Sequence, residues 1–218
     1  MSAAKRPALV LLVGPNGAGK TTLYEQRVAP SLKVPFINAD FIQRDELKDP
    51  RVEASYEAAR LADARRRQFF DAGSSFATET VFSHPSKLDL VVEARERGYR
   101  VFLFHVGVGS PDLSVARVAE RVKEGGHPVP EAKIRARYDR NGPLIREAAV
   151  LADFAHVYDN SALNTPPERV LSMKAGKVSF VVPQVPEWAY RIYRDDIAKA
   201  GPVDVSVDLR GGSGFYGG

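Results

Sequence analysis

The chain has 218 residues, of which 44% are hydrophobic and 27% are charged, and its formal net charge is +4. These proportions predict one globular domain, and the small positive charge selects no partner, since nucleic acid and anionic small molecules would suit it equally. Cysteine is absent, which excludes disulfide and thiol chemistry. Without an apolar run long enough to span a membrane and without an evident signal peptide, we expect a cytoplasmic protein with no membrane partner.

A glycine-rich stretch follows the first predicted strand, Ala8–Val13, and precedes a segment that can form a helix. Residues 14–21 have the sequence Gly-Pro-Asn-Gly-Ala-Gly-Lys-Thr, the P-loop pattern. Lys20 would reach the β- and γ-phosphates of a nucleotide such as ATP, and the Thr21 hydroxyl would hold Mg²⁺. The predicted nucleotide-binding residues are Gly14, Asn16, Gly17, Ala18, Gly19, Lys20, Thr21 and Thr22.

Apolar strand patterns and helix patterns alternate along the next part of the chain. The further predicted strands are residues 34–38, 75–79, 100–106 and 155–158. The predicted helices are residues 55–72, 86–96, 113–123, 131–140 and 144–152. This alternation predicts an α/β fold with a parallel sheet, in which ligands bind beyond the carboxyl ends of the strands. His105 and His156 lie inside apolar strands and are expected to be core residues.

The C-terminal part has a different pattern. Residues 169–171 and 178–182 flank a turn and predict a small β-hairpin appendage, followed by a short helix at residues 188–193. We expect one kinase-like P-loop domain over residues 1–200 and a flexible glycine-rich tail over residues 201–218.

Polar residues occur at or just beyond the carboxyl ends of the second and third predicted strands. Asp40 could accept a proton from a substrate hydroxyl, or it could be the N-cap of the next helix. Glu79 could bind substrate hydroxyls, hold a magnesium-bound water, or be a surface loop acid, and Thr80 could assist it. Ser83, a little further on, is a candidate substrate contact. All four lie where the P-loop crevice is expected.

Basic residues lie on two predicted helices, at residues 113–123 and 131–140, between the fourth and fifth strands. Arg117 and Arg121 share one helix face, and a Gly-Gly-His segment at residues 125–127 separates that helix from the next. This arrangement predicts either a lid whose arginines stabilise a transferring phosphoryl group or a solvated basic face. His127 is a candidate substrate contact.

Four motifs in this order together resemble the zeta-toxin family, in particular its short stand-alone bacterial members. They are the P-loop at residues 14–22, Asn-Ala-Asp at 38–40, Glu-Thr at 79–80, and Arg-Val-x-x-Gly-Gly-His-x-Val-Pro at 121–130. The P-loop alone is unspecific, whereas the four motifs in this spacing are considerably more specific. The resemblance covers most of the chain apart from its ends.

The resemblance implies an ATP-dependent kinase that phosphorylates the 3′-hydroxyl of UDP-N-acetylglucosamine, acts as a toxin, and pairs with a small helical antitoxin. The family's catalytic base corresponds to Asp40, its substrate-binding glutamate to Glu79, and its P-loop lysine and threonine to Lys20 and Thr21. Its lid arginine corresponds most nearly to Arg121, with Arg117 as the rival.

The chain departs from the family pattern at the acceptor side. Val81 stands where larger toxins have threonine, a position for which Thr80 could substitute, and Ser83 stands where they have arginine. A second lid arginine is missing near His127 unless Arg135 takes its place. These departures affect the prediction of which sugar nucleotide is the acceptor more than the prediction of phosphoryl transfer itself.

Two other functions remain open. The first is a kinase for another small metabolite or for a nucleic-acid end, although the sequence lacks the basic, aromatic track that a nucleic-acid strand needs. The second is an ATPase switch without a small acceptor, which is disfavoured because no second acidic motif follows a hydrophobic run on a middle strand.

Overall fold

The computed structural model describes residues 6–126 and 128–201. The strands in this part of the chain are β1 (Ala8–Val13), β2 (Phe36–Ile37), β3 (Phe76–Thr80), β4 (Arg100–Gly107), β5 (Phe154–Asp159), β6 (Glu168–Lys174) and β7 (Lys177–Val181). The helices are α1 (Lys20–Leu23), α2 (Ala39–Phe41), α3 (Val52–Asp71), α4 (Ser86–Glu96), α5 (Pro111–Lys123), α6 (Glu131–Leu151) and α7 (Glu187–Ala200). Short π-helical segments, Tyr24–Val28 and Ile42–Leu47, continue α1 and α2.

The described strands form one sheet in the order β2-β3-β1-β4-β5-β6-β7. The first five strands along the chain run parallel, whereas β6 and β7 add to the sheet in antiparallel orientation. The predicted α/β P-loop kinase-like fold is confirmed. The predicted hairpin is also present, but it extends the main sheet beyond β5 and is not a separate appendage.

Strand β1 lies at the centre of the fold, and all six of its residues are buried. Leu9, Leu11 and Val13 belong to one hydrophobic cluster, and Val10 and Leu12 belong to a second. Because successive side chains point to opposite faces, a continuous apolar run is typical of a strand covered on both faces. The P-loop therefore starts from a strand that is fully buried in the core.

Helix α6 is continuous, whereas the sequence pattern predicted two helices separated near Pro143. Proline has no N–H and removes one helical hydrogen bond. Tertiary packing outweighs that loss: Ile145, Ala148 and Ala149 are buried. Gly142 lies so close to α7 that a Cβ atom there would be 2.9 Å from Cδ1 of Ile192.

Helix α7 is also longer than predicted, and β2 is shorter than the predicted strand at residues 34–38. The tail predicted at residues 201–218 lies outside the described residues from position 202 onward. None of the described helices is both long enough and apolar enough to cross a membrane.

His105 is a core residue, as predicted. It is 1% exposed, its Nδ1 is 2.9 Å from the hydroxyl of Tyr193, and its ring meets Trp188 edge-on. Burial, with a smaller contribution from the charge of Lys20, lowers the pKa of His105 to about 3. His156 is a partly buried residue whose Nδ1 is 2.9 Å from the Ser172 hydroxyl.

Because His105 is buried, the free energy of unfolding should decrease when the pH is lowered. The ordinary pKa of 6.5 applies in the unfolded chain, so between that value and about 3 the unfolded state binds more protons, and stability falls as the pH drops. At pH 5 the loss is at most about 2 kcal/mol. Denaturant unfolding at pH 7.5 and pH 5 should show a smaller pH difference for His105→Gln than for the wild-type chain.

The exposed His84 provides the matched control, since His84→Gln should keep the wild-type pH difference. An equal pH difference in His105→Gln and the wild-type chain would contradict this prediction.

Candidate active site

The P-loop connects β1 to α1 through glycines with positive φ angles. Gly14, Gly17 and Gly19 have φ angles of 144°, 71° and 85°. A Cβ atom at Gly14 would lie 2.0 Å from the carbonyl oxygen of Val106, and one at Gly19 would lie 2.5 Å from Nδ2 of Asn160. Both the backbone angles and the close packing therefore require glycine in this loop.

Asn160, just after β5, holds the P-loop from the side, and the sequence reasoning missed it. Its Nδ2 donates a hydrogen bond of 2.9 Å to the Ala18 carbonyl, and its backbone N–H donates to the Gly107 carbonyl at 2.9 Å. Asparagine after a strand is common in loops, so only the fold identifies this contact.

Arg117 lies on the same side of the P-loop as Asn160. Its guanidinium donates to the backbone carbonyls of Asn160 at 2.7 Å and Ala162 at 3.1 Å. Burial lowers the pKa of Arg117 from its ordinary value, while the charge of Asp159 acts in the opposite direction. These contacts hold Arg117 against the backbone beside the nucleotide loop. Arg121, on the same helix, is instead the arginine that lies near Asp40.

Glu79, at the end of β3, contacts both Lys20, which was predicted to reach phosphate, and Thr21, which was predicted to hold Mg²⁺. Its Oε2 accepts hydrogen bonds from Thr21 Oγ1 at 2.6 Å and from Asn38 Nδ2 at 3.1 Å. Its Oε1 is 3.5 Å from Nζ of Lys20, which also donates to the Pro15 carbonyl at 3.0 Å. A carboxylate beside a hydroxyl is the oxygen donor set that Mg²⁺ prefers.

Asp40 lies in the first turn of α2. The N-cap of this helix is Asn38, whose Oδ1 accepts a hydrogen bond of 2.8 Å from the Asp40 backbone N–H. Of the two roles that the sequence left open for Asp40, the capping role therefore belongs to Asn38. The Asp40 side chain is 48% exposed, and its Oδ2 is 3.7 Å from Nη1 of Arg121.

Arg121 lies near the C-terminal end of α5, with its guanidinium group near the Asp40 carboxylate. Its Nε and Nη2 atoms are buried and have no hydrogen-bond partner among the described residues. Gly126 closes over it, since a Cβ at Gly126 would lie 2.8 Å from Cγ of Arg121. Buried guanidinium N–H groups are costly without an acceptor, so an anion is expected to complete this site.

Arg137 on α6 also faces the P-loop, although it was not singled out as a site residue from the sequence. Its Nη1 is 3.4 Å from Oδ1 of Asn16. Burial chiefly lowers its pKa, Arg140 adds to that effect, and the charge of Asp40 opposes it. Arg135, the sequence candidate for a second lid arginine, instead pairs with Asp112 and Glu131.

The remaining predicted substrate and nucleotide contacts have less definite surroundings. Thr80 Oγ1 accepts a hydrogen bond of 3.2 Å from the Phe82 backbone N–H, Thr22 is exposed, and Ser83 is partly buried. His127 lies outside the described residues. Substrate contact by Thr80, Ser83 and His127 therefore stays a prediction.

Comparison with known proteins gives one family match and several structural matches. A family model described as Zeta toxin matches residues 1–163 of this 218-residue chain. An uncharacterized protein of Haemophilus influenzae is 29% identical over 132 residues, which is 59% of this chain and 91% of that protein.

Two solved structures share the fold at low sequence identity. A chain in the crystal structure of AvrRxo1-ORF1:-ORF2 with ATP aligns with a TM-score of 0.64 and 18% identity, covering 96% of this chain and 67% of that chain. A structure from the PezAT chromosomal toxin-antitoxin system of Streptococcus pneumoniae aligns with a TM-score of 0.59 and 16% identity, covering 91% and 89% of the two chains.

Asn38 should contribute measurably to stability, because its side chain both caps α2 and donates to Glu79. Asn38→Ala removes both hydrogen bonds, and we expect a loss of about 1–2 kcal/mol in the free energy of unfolding. Denaturant unfolding at neutral pH measures this loss.

Asn38→Asp separates the two contacts. It keeps an acceptor for the helix cap but places a second carboxylate against Glu79, so its destabilisation should shrink when the pH is lowered and a carboxylate is protonated. If Asn38→Ala unfolds at the wild-type denaturant concentration, these contacts do not stabilise the site.

Proposed function

We propose that this chain, which belongs to the zeta toxin family, is a kinase that transfers the γ-phosphoryl group of ATP to a hydroxyl of a small metabolite. The proposal rests chiefly on Asp40 and Arg121: Oδ2 of Asp40 is 3.7 Å from Nη1 of Arg121, whose buried Nε and Nη2 have no hydrogen-bond partner among the described residues. A base for the acceptor and a cation for the phosphate are thus neighbours.

The P-loop supports ATP as the phosphoryl donor. The positive φ angles of Gly14, Gly17 and Gly19 suit a loop whose N–H groups turn toward phosphate. Lys20 is 6% exposed and lies at the base of the loop, where its charge would act on the β- and γ-phosphates. Release of its hydrogen bond to the Pro15 carbonyl would accompany phosphate binding.

The surroundings of Thr21 and Glu79 fit Mg²⁺. Thr21 would bind the ion through its hydroxyl, and Glu79 would orient that hydroxyl and accept hydrogen bonds from metal-bound water. When bound, Mg²⁺ would neutralise charge on the phosphates. Of the roles left open for Glu79, this one agrees best with its contacts to Lys20 and Thr21.

Asp40 is proposed as the general base. As the acceptor hydroxyl oxygen bonds to the γ-phosphorus, its proton passes to a carboxylate oxygen of Asp40, and the bond between the γ-phosphorus and the bridging oxygen breaks to leave ADP. Arg121, and Arg137 beside Asn16, would stabilise charge on the transferring group. Arg117 would instead support the nucleotide loop through its contacts after β5.

The proposed acceptor is a UDP-amino sugar such as UDP-N-acetylglucosamine, since the chain belongs to the zeta toxin family. Thr80, Ser83 and His127 are the proposed acceptor contacts. Val81 and Ser83 mark the positions at which the acceptor specificity of this chain is proposed to differ from that of larger toxins. A kinase for another small metabolite or for a nucleic-acid end is the alternative that an acceptor screen would reveal.

In the cell, the chain is proposed to act as a toxin whose nucleotide site is blocked by a small helical antitoxin. We expect it to be located in the cytoplasm. The matched PezAT structure is from a toxin-antitoxin system, which supports this proposal for the present chain.

Replacement of Asp40 tests the proposed base. Asp40→Asn should lower turnover at least about a hundredfold while the dissociation constant for ATP stays near the wild-type value. Transfer is measured from γ-labelled ATP to UDP-N-acetylglucosamine and, in parallel, to a metabolite extract with mass spectrometric identification of the product. ATP binding is measured by calorimetry.

The matched control is Asp45→Asn, because Asp45 lies in the same segment but is exposed and paired with Arg44. It should keep wild-type turnover. Wild-type transfer by Asp40→Asn would refute the base assignment, and labelling of oligonucleotide ends alone would favour the nucleic-acid kinase.

Three arginines of α5 and α6 should give different kinetic results because their contacts differ. Arg121→Ala should lower kcat by about a thousandfold. Arg117→Ala should chiefly raise KM for ATP, since it loosens the Asn160 contact to the P-loop. Arg135→Ala should stay near wild type, because Arg135 pairs with Asp112 and Glu131.

Steady-state kinetics with varied ATP separate these effects. Equal losses of kcat in Arg135→Ala and Arg121→Ala would contradict the assignment of Arg121.

A further inference from the structure

A cavity of about 310 Å³ lies beside the P-loop, between β4, α6 and α7. Pro15 forms part of its wall, but Lys20, Thr21, Asp40, Glu79 and Arg121 are not among the described residues that line it. The volume falls at the lower end of the range found for small-molecule sites. The proposed kinase chemistry leaves this cavity unused.

The apolar walls of the cavity are flat and firmly held. Trp188 is 5% exposed, and its Nε1 donates a hydrogen bond of 2.8 Å to Oδ1 of Asp159. Gly107 allows the indole to lie against β4, since a Cβ atom there would be 2.2 Å from the ring. Pro143 and Ile192 line the cavity as well. These surfaces suit a planar ring.

Asn141 gives the cavity a hydrogen-bond donor. The residue is 4% exposed, lines the cavity, and its Nδ2 has no hydrogen-bond partner among the described residues. Pro143 also removes the regular helical hydrogen bond to the Asp139 carbonyl in the same turn. A buried amide without an acceptor is unfavourable, so a ligand with an acceptor atom would stabilise this wall.

The charges around the cavity offer no counter-charge to an ionic group at its inner end. His105 lines the inner part and, with its lowered pKa, is neutral near pH 7. Arg191 and Asp139 both line the cavity as exposed residues, so their opposite charges select no net charge in the ligand. The ring that enters should therefore be uncharged.

From this geometry we infer an accessory binding site for an uncharged, flat, bicyclic heteroaromatic ring that carries a hydrogen-bond acceptor, with Asn141 as the donor and Trp188 as the stacking surface. The site is separate from the ATP site and goes beyond the proposed kinase function. It shares Pro15 with the P-loop, which places an occupant next to the carbonyl that holds Lys20.

The chain contains one tryptophan, so the indole N–H signal of Trp188 in a ¹H–¹⁵N spectrum reports on this cavity specifically. The probes are benzimidazole and indole at pH 8, which have nearly the same shape but differ in that only benzimidazole has an acceptor nitrogen. Benzimidazole should shift the signal saturably and bind about five- to tenfold more tightly than indole.

Asn141→Leu should remove the preference for benzimidazole while leaving indole binding unchanged. Ile192→Phe, at a partly exposed position on α7, should fill the cavity and weaken both probes, which keeps the proposal testable if Asn141→Leu does not fold. Asp45→Asn, at an exposed position that does not line the cavity, should bind benzimidazole as the wild-type chain does.

The inference is overturned if benzimidazole leaves the Trp188 signal unmoved, if Asn141→Leu keeps the preference, or if ATP displaces benzimidazole competitively. None of these outcomes depends on kinase activity, so the accessory site and the proposed function can fail independently.

Discussion

The carboxylate of Glu79, at the end of β3, joins the P-loop side chains to the turn before α2. It accepts hydrogen bonds from Thr21 at the start of α1 and from Asn38 before α2, and it lies 3.5 Å from the Lys20 ammonium. Because the side chain is only 14% exposed, its charge needs these partners. Loss of this contact would free the P-loop side chains and the turn that carries Asp40 at the same time.

The position of Glu79 follows from the sheet. Glu79 pairs in register with Leu12 on the central strand β1, one residue before Val13 and the P-loop. Parallel neighbours end at the same edge, so a residue near the end of β3 meets a loop that leaves β1. The lid completes the site from the other side, where Arg121 stands 3.7 Å from Asp40.

Other features of the site depended on contacts that no local pattern encodes. Arg117 and Arg121 share one helix face, yet one donates to carbonyls after β5 and the other faces Asp40. Asn160 and Arg137 reach the P-loop from parts of the chain more than a hundred residues away. Their partners are set by how α5, α6 and the loop after β5 pack on the sheet.

The sequence by itself determined the fold class, the P-loop and the positions of Asp40 and Glu79 at the carboxyl ends of their strands. Phosphate binding fixes residue types at a fixed spacing, and burial on both faces fixes the apolar composition of a parallel strand. Only the tertiary structure decided that Asn38 and not Asp40 caps α2, that α6 continues through Pro143, and that Arg137 faces the P-loop while Arg135 does not. These outcomes depend on packing between distant segments, which outweighs local helix and turn preferences because burial and hydrogen bonding to a distant partner contribute more free energy than a local propensity.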